Sequence, residues 1–217
     1  MQKSNFILLN LSQLFYLIHI SHQVFNIDDF GAISDDPSYE AAIKNGKALN
    51  LALCAANQSN SDRSILIPNK WYGMLPAGGL DRLTNVTINF NGKLNSWDED
   101  HSKYPRDRNG NALNFISLTN TENLIIRGNG VIEGNGYLWW LNVIQTGIDD
   151  RPNLIDLSTS KNLLIDGITL LNAPVYHLNA RTALNATFLN LVIRVNVTFN
   201  SSTAVTFPLN TGKIKHN

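Results

Sequence analysis

An excess of charge of either sign is missing from this 217-residue chain: 17 Lys and Arg side chains meet 17 Asp and Glu, for a formal net charge of zero. That balance removes the electrostatic footprint of a nucleic-acid binder, so no nucleic acid is expected as a partner, although one face could still be locally basic. Cysteine is nearly absent. Cys54 stands alone, which excludes an intrachain disulfide framework and a cysteine-rich metal site, and it reads as an unpaired buried thiol. Five histidines occur without an H-x-x-x-H or H-x-E spacing, so zinc has no support. No D-x-[DN]-x-[DN]-G calcium loop, phosphate-binding G-x-x-x-x-G-K-[ST] or G-x-S-x-G is present either. No metal and no cofactor is expected.

A long uninterrupted apolar run is also lacking. Phe6 to Ile20 lean apolar but are broken by Asn10, Ser12, Gln13 and His19. Roughly 15 such residues are short for a membrane span and suit the h-region of a secretory leader, with Lys3 as its basic flank. Residues 1–23 are therefore expected to be a signal peptide, residues 24–217 the N-terminal part of a single domain, and the location extracellular, with no stable membrane span. Ser21 and Gln23 make an imperfect cleavage site. Asn57, Asn85, Asn185, Asn196 and Asn200 each begin an N-x-[ST] triplet, but in so asparagine-rich a chain such triplets arise by chance.

What the chain does contain is repetition. VFNIDDFGA (24–32) reads as a short strand and a turn at Gly31, and Asp36-Pro37 open an amphipathic helix over 37–56 with Gly46 on its apolar face. SILIP (64–68) is a strand closed by proline, and WYGMLPAGG (71–79) reads as turns. From residue 83 onward the sequence copies itself. NFISLTNTENLIIRGNGVIEG (114–134) aligns with NLIDLSTSKNLLIDGITLLNA (153–173) at an offset of 39 residues, with looser copies at 83–94 and 188–199. Each copy centres on an asparagine (Asn85, Asn123, Asn162 and Asn190) followed by apolar-x-apolar alternation.

Alternating strands recurring every 28 to 39 residues without intervening helices indicate an all-β parallel β-helix, capped at its N-terminal end by one helix. One coil cannot bury its apolar face alone, whereas coils stacked at about 4.8 Å build a continuous core. Asparagine tolerates the left-handed backbone of corners and can hydrogen-bond along the stack. An antiparallel sandwich is the competing architecture. The charged segment 95–113 is either a groove-lining loop or a solvated insertion.

The glycine-rich GNGVIEGNGYLWW (128–140) is not a nucleotide loop, because Gly134 comes one residue late for G-x-G-x-x-G and a strand pattern follows. Glu133 aligns with Asn172 in the internal repeat and reads as a polar corner residue; Asp149-Asp150, followed by Arg151-Pro152, reads as a charged turn. Trp139 and Trp140 are candidates for a sugar-stacking platform, with aromatic packing as the alternative.

These stretches together resemble glycoside hydrolase family 28, the polygalacturonases and their relatives. The resemblance rests on Asp29–Ala32 for D-F-G-A, on Gly128–Trp140 for G-x-G-x-I-D-G-x-G-x-x-W-W with Glu133 in place of Asp, and on Arg151–Pro174. It implies a right-handed parallel β-helix and inverting hydrolysis of α-1,4 galacturonosyl links in pectin, a polysaccharide partner. One carboxylic acid protonates the leaving oxygen while another activates water. The family's aspartates lie in N-T-D-G-x-D and a later D-D, helped by G-H-G and R-I-K. Here Asn210-Thr211 begin that first motif, Gly212 replaces its aspartate, and the later motifs are not among the 217 residues. The expectation is a family member with no catalytic residue in this chain, inactive by itself. Asn210, Trp139 and Trp140 are its candidate substrate-binding residues, and self-association through an open solenoid end is expected. A non-catalytic carbohydrate-binding or adhesive β-helix remains an alternative, as, more remotely, does a pectate-lyase-type enzyme.

Overall fold

Alternation of buried and half-exposed residues, as in Ser64–Ile67 and Thr87–Phe90, gives each strand one face for the core and one for solvent. The computed structural model describes residues 24–196; the expected leader and Asn210 lie outside them. Fifteen short strands, numbered in chain order, form three sheets that make the sides of a right-handed parallel β-helix. The six-stranded sheet holds β1 (Phe25–Asn26), β2 (Ser64–Ile67), β5 (Thr87–Phe90), β8 (Ile125–Gly128), β11 (Lys161–Asp166) and β14 (Leu184–Leu189). The five-stranded sheet holds β3 (Trp71–Met74), β6 (Lys93–Ser96), β9 (Val131–Glu133), β12 (Thr169–Leu171) and β15 (Val192–Arg194). The four-stranded sheet holds β4 (Leu80–Asp81), β7 (Ile116–Thr119), β10 (Ile155–Asp156) and β13 (Leu178–Asn179).

Parallel registers place like residues above one another. Ile65, Ile88, Ile126, Ile165 and Phe188 form one column; Tyr72, Leu94, Ile132, Leu170 and Ile193 form another. Burying one such side chain contributes about 1.5–3 kcal/mol. The contribution depends on a neighbouring coil: Ile165 and Leu170 are fully buried, while Phe188 and Ile193 in the last described coil are 41% and 53% exposed.

The asparagines hold the corner between the four- and six-stranded sheets. Asn185 donates its Nδ2 to Asn162 Oδ1 (2.8 Å), Asn162 to Asn123 (2.9 Å) and Asn123 to Asn85 (2.7 Å). All four have left-handed backbone, φ 51–55°. The fourth rung is thus Asn185, not the expected Asn190, because the last coil advances 23 residues instead of 39. Asn190, also left-handed, donates instead to Asp166 Oδ1 at 2.8 Å.

A register slip accounts for the glycines. Asp166 pairs with Arg127, but Thr169 pairs with Val131, so the coil of β8 and β9 carries one more residue at this corner than the coil above it. Glu133 consequently stacks on Leu171, correcting the expected alignment with Asn172. At Gly128 φ is +138°, and a Cβ there would sit 2.1 Å from the Phe90 carbonyl oxygen, so the turn admits only glycine.

Helix α1 (Tyr39–Gln58) closes the N-terminal end of the core, starting two residues after the expected position. Ser38 caps it by accepting from the Ala41 N–H (3.2 Å), and Asp36 in turn accepts from the Ser38 N–H. Trp71–Met74, expected as turns, is a strand because it pairs in register with β6. Ahead of the helix, Asp28 accepts from Tyr72 Oη (2.8 Å) and Lys70 Nζ (2.7 Å), fixing the first turn. A second helix, α2 (Tyr137–Thr146), corrects the expectation of strands without intervening helices; Gly147 ends it with φ +72°.

Asn45, 1% exposed, joins α1 to the coil: its Oδ1 accepts from the Ile33 N–H (2.6 Å) and its Nδ2 donates to the Ile33 and Gly73 carbonyls (2.9 and 2.7 Å). Asn45→Ala leaves three backbone groups without their partner, the Gly73 carbonyl buried and the two Ile33 groups part-buried, and a buried group left unpaired costs about 1–3 kcal/mol. The expected outcome is a lower urea midpoint with an unchanged slope; an unchanged midpoint contradicts this role for Asn45.

Candidate functional site

Two of the three corners are tight in every coil, and the third carries all the long excursions. Between the five- and four-stranded sheets the chain runs through 97–115, then 134–154 with α2, then 172–177. Loops at one corner of a solenoid build its variable surface without disturbing the stack.

Adjacent excursions are tied together. Asn135 Nδ2 donates to the Ser96 carbonyl (2.6 Å), and Arg106 Nη1 to Asp150 Oδ2 (2.7 Å). Arg151 grips Asp149 with two bonds of 2.7 Å and reaches the Pro174 carbonyl (3.2 Å). Trp140 Nε1 donates to the carbonyls of Ala173 (3.2 Å) and Pro174 (2.9 Å). Beside them, the four-stranded sheet presents Asp156, which accepts from Asn114 Nδ2 (3.0 Å), the Ser158 N–H and Oγ (3.1 and 2.6 Å) and Asn179 Nδ2 (3.2 Å).

The tryptophan pair divides. Trp139 is 2% exposed, stacked on His101 at 4.3 Å between ring centroids and met edge-on by Tyr104 at 5.1 Å. With Trp97, Leu75 and Ala42 it forms a second apolar cluster, leaving no ring face for a sugar. Segment 95–113 is therefore packed through Trp97 and Tyr104, not wholly solvated. Trp140 is half-buried and anchors α2 over the next coil. Tyr176, which sequence reasoning did not single out, is 65% exposed on the neighbouring excursion. Its place between the Asn-Ala-Pro corner and β13 was the available signal.

The carboxylates of this region are largely committed. Asp149 and Asp150 are held by arginines, as a charged turn implies. Glu133, 8% exposed, accepts through Oε1 from Asn172 Nδ2 (2.8 Å) and the Asn135 N–H (3.2 Å). Burial, reinforced by the charges of Glu99 and Glu133, raises the Asp98 carboxyl above its ordinary value. Burial also lowers His177, whose Nε2 lies 3.4 Å from the Ala173 N–H and 3.2 Å from the Arg194 carbonyl. Neutral, this nitrogen can accept from Ala173; protonated, it can only donate to Arg194. Among the described residues, no group of three or more His, Cys, Asp or Glu could hold a metal, and no helix is long and apolar enough to cross a membrane.

Because folding raises the Asp98 pKa, the folded chain binds this proton more readily than the unfolded chain. The stability linked to Asp98 is present below the ordinary carboxyl value and falls as pH climbs through the raised one. Asp98→Asn is expected to raise Tm at about pH 7 and to leave it nearly unchanged at about pH 3, read by thermal melts followed by circular dichroism. An equal or lower Tm at neutral pH contradicts the burial penalty.

A model of Glycosyl hydrolases family 28 matches residues 58–211. Polygalacturonase QRT2 of Arabidopsis thaliana is 27% identical over 185 residues, covering 82% of this chain and 39% of the relative. Polygalacturonase-2 of Solanum lycopersicum is 25% identical over 181 residues, 80% of this chain and 37% of the relative. Among solved structures, endo-xylogalacturonan hydrolase from Aspergillus tubingensis superposes with TM-score 0.59 at 26% identity, over 72% of this chain and 41% of that one. A hyperthermoactive exopolygalacturonase from Thermotoga maritima shares the fold, with TM-score 0.54 at 17% identity over 78% and 46% of the two chains. The chain spans less than half the length of each of these relatives. Strand stack, corner motifs and family match agree: the chain belongs to glycosyl hydrolases family 28.

Proposed function

We propose that this chain forms the polysaccharide-holding part of a polygalacturonase-type hydrolase of extracellular pectin, and that by itself it binds galacturonan without hydrolysing it. The observation that carries the reading is the convergence of three successive excursions on one corner. There Arg106, Arg151, Tyr176 and the Asn114–Asp156–Asn179 row border a single face. Amides and carboxylates suit sugar hydroxyls and an exposed ring suits a pyranose face, while Arg106 and Arg151, paired with Asp150 and Asp149, brace the face. Relatives described as polygalacturonases supply the substrate class, and the leader-like residues 1–23 supply the extracellular location.

Inverting hydrolysis needs two carboxyl groups about 6.5–9.5 Å apart, one protonated and one beside a water. Asp149, Asp150 and Asp156 are occupied by arginine, amide and hydroxyl donors, and Glu133 is buried at a corner. Gly212 stands where the family motif places its first aspartate. Asn210 precedes it and, with Trp140, is kept as a substrate-binding residue. The exposed Phe188 and Ile193 support association with a second copy through the β14–β15 edge.

The purified 217-residue chain is expected to be retarded in a gel containing polygalacturonate and to release no reducing ends from it. Tyr176→Ala is expected to weaken the retardation several-fold without changing the melting curve. Release of reducing ends overturns the non-hydrolytic reading, and unretarded migration overturns binding at this face.

A further inference from the structure

Three N-x-[ST] triplets lie wholly within the described residues, and the fold treats their asparagines differently. Asn57, in the last turn of α1, uses both ends of its amide: Oδ1 accepts from the Thr84 N–H (2.8 Å) and Nδ2 donates to the Arg82 carbonyl (3.4 Å). These bonds dock the capping helix on the corner before β5. Asn185 commits an Nδ2 hydrogen to Asn162 Oδ1 (2.8 Å). Asn85 differs from both. Like Asn185 it is exposed, but it accepts from Asn123 through Oδ1 (2.7 Å) and its Nδ2 donates to no protein atom among the described residues.

The difference follows from the direction of the asparagine ladder. Each rung donates toward the N-terminal neighbour, from Asn185 to Asn162 to Asn123 to Asn85. No further asparagine rung among the described residues accepts from the Nδ2 of the first. The side chain continues the ladder through its oxygen alone, so its nitrogen can be substituted without breaking a bond of the fold. Val86 is fully buried and Thr87 begins β5, which fixes the corner on which Asn85 projects.

We infer that Asn85 is a site of N-linked glycosylation, tolerated by the native fold where Asn57 is not; the inference rests on the secretory reading of the leader. The donor is a lipid-linked oligosaccharide pyrophosphate. A bond forms between Asn85 Nδ2 and the sugar anomeric carbon, the bond from that carbon to the pyrophosphate oxygen breaks, and one amide proton is lost to a base. The glycan leaves from the corner between the four- and six-stranded sheets, whereas the excursions of the candidate face occupy the corner between the five- and four-stranded sheets. A sugar chain there shields the outer surface and leaves that face open. Modification of Asn57 instead removes a donor hydrogen and sets a bulky group between α1 and the coil, so such chains fail to dock their cap.

The test expresses residues 24–217 behind a validated secretion leader, with a sequon-bearing tag whose own glycan proves entry into the lumen. Secreted protein is treated with peptide N-glycosidase in heavy-oxygen water, and labelled aspartate is located by peptide mass spectrometry. Most secreted molecules are expected to carry the label at position 85 and almost none at 57. Thr87→Val, which abolishes the triplet and leaves the Asn85 rung in place, should remove one glycan's mass. A glycosylated tag on a chain bare at Asn85 overturns the inference, as does occupancy at Asn57 or Asn185 that equals or exceeds that at Asn85. A parallel expression with residues 1–23 in place of the validated leader reports on the secretory reading separately.

Discussion

In-register stacking of coils is the constraint on which the rest of this structure depends. A strand of three or four residues has too little apolar surface to be stable alone. Ile88, Ile126 and Ile165 are buried because each lies directly over the next. Register therefore cannot drift, and the corners enforce it. The asparagine ladder fixes one corner through side-chain amides in left-handed backbone. The corner after β8 is fixed by sterics, since the Phe90 carbonyl leaves no room for a Cβ at residue 128.

Those same demands decide where function can reside. A corner held by a ladder or by close backbone contact varies little in length, by one residue after β8, so long insertions collect at the remaining corner. There the excursions have built their own apolar cluster around Trp139, Trp97 and Tyr104, separate from the coil interior. This second cluster holds α2 rigidly, and Arg151 and Trp140 fasten it to the next coil. The polar face beside it is rigid for the same reason. Its carboxylates serve chiefly as anchors for arginines and amides.

Much of the fold was legible in the sequence because stacking leaves a periodic imprint. Asn85, Asn123 and Asn162 stand at one corner and the isoleucines two or three residues later at the core, so two aligned stretches suffice to reveal the coil. The features that were not legible have physical causes. Asn190 resembles a ladder rung locally, and only the shorter last coil makes Asn185 the true one. Glu133 aligned with Asn172 because the extra residue between Arg127 and Val131 leaves the count of conserved-looking letters intact. The apolar run YLWWL suits strand and helix alike; the closing left-handed Gly147 and the cluster under Trp139 select the helix. Burial of Trp139 beside a half-buried Trp140 depends on contacts with His101 and Tyr104, which are distant in sequence.

Each coil is stable only through its neighbours, a dependence that native-state amide exchange followed by NMR or mass spectrometry can read strand by strand. Coils flanked on both sides should exchange only by global opening, and the last described coil by local opening. The slowest amides are expected in β5, β8 and β11, with protection declining through β14 to β15. Uniform protection across all five strands, or the slowest exchange at β15, would contradict it.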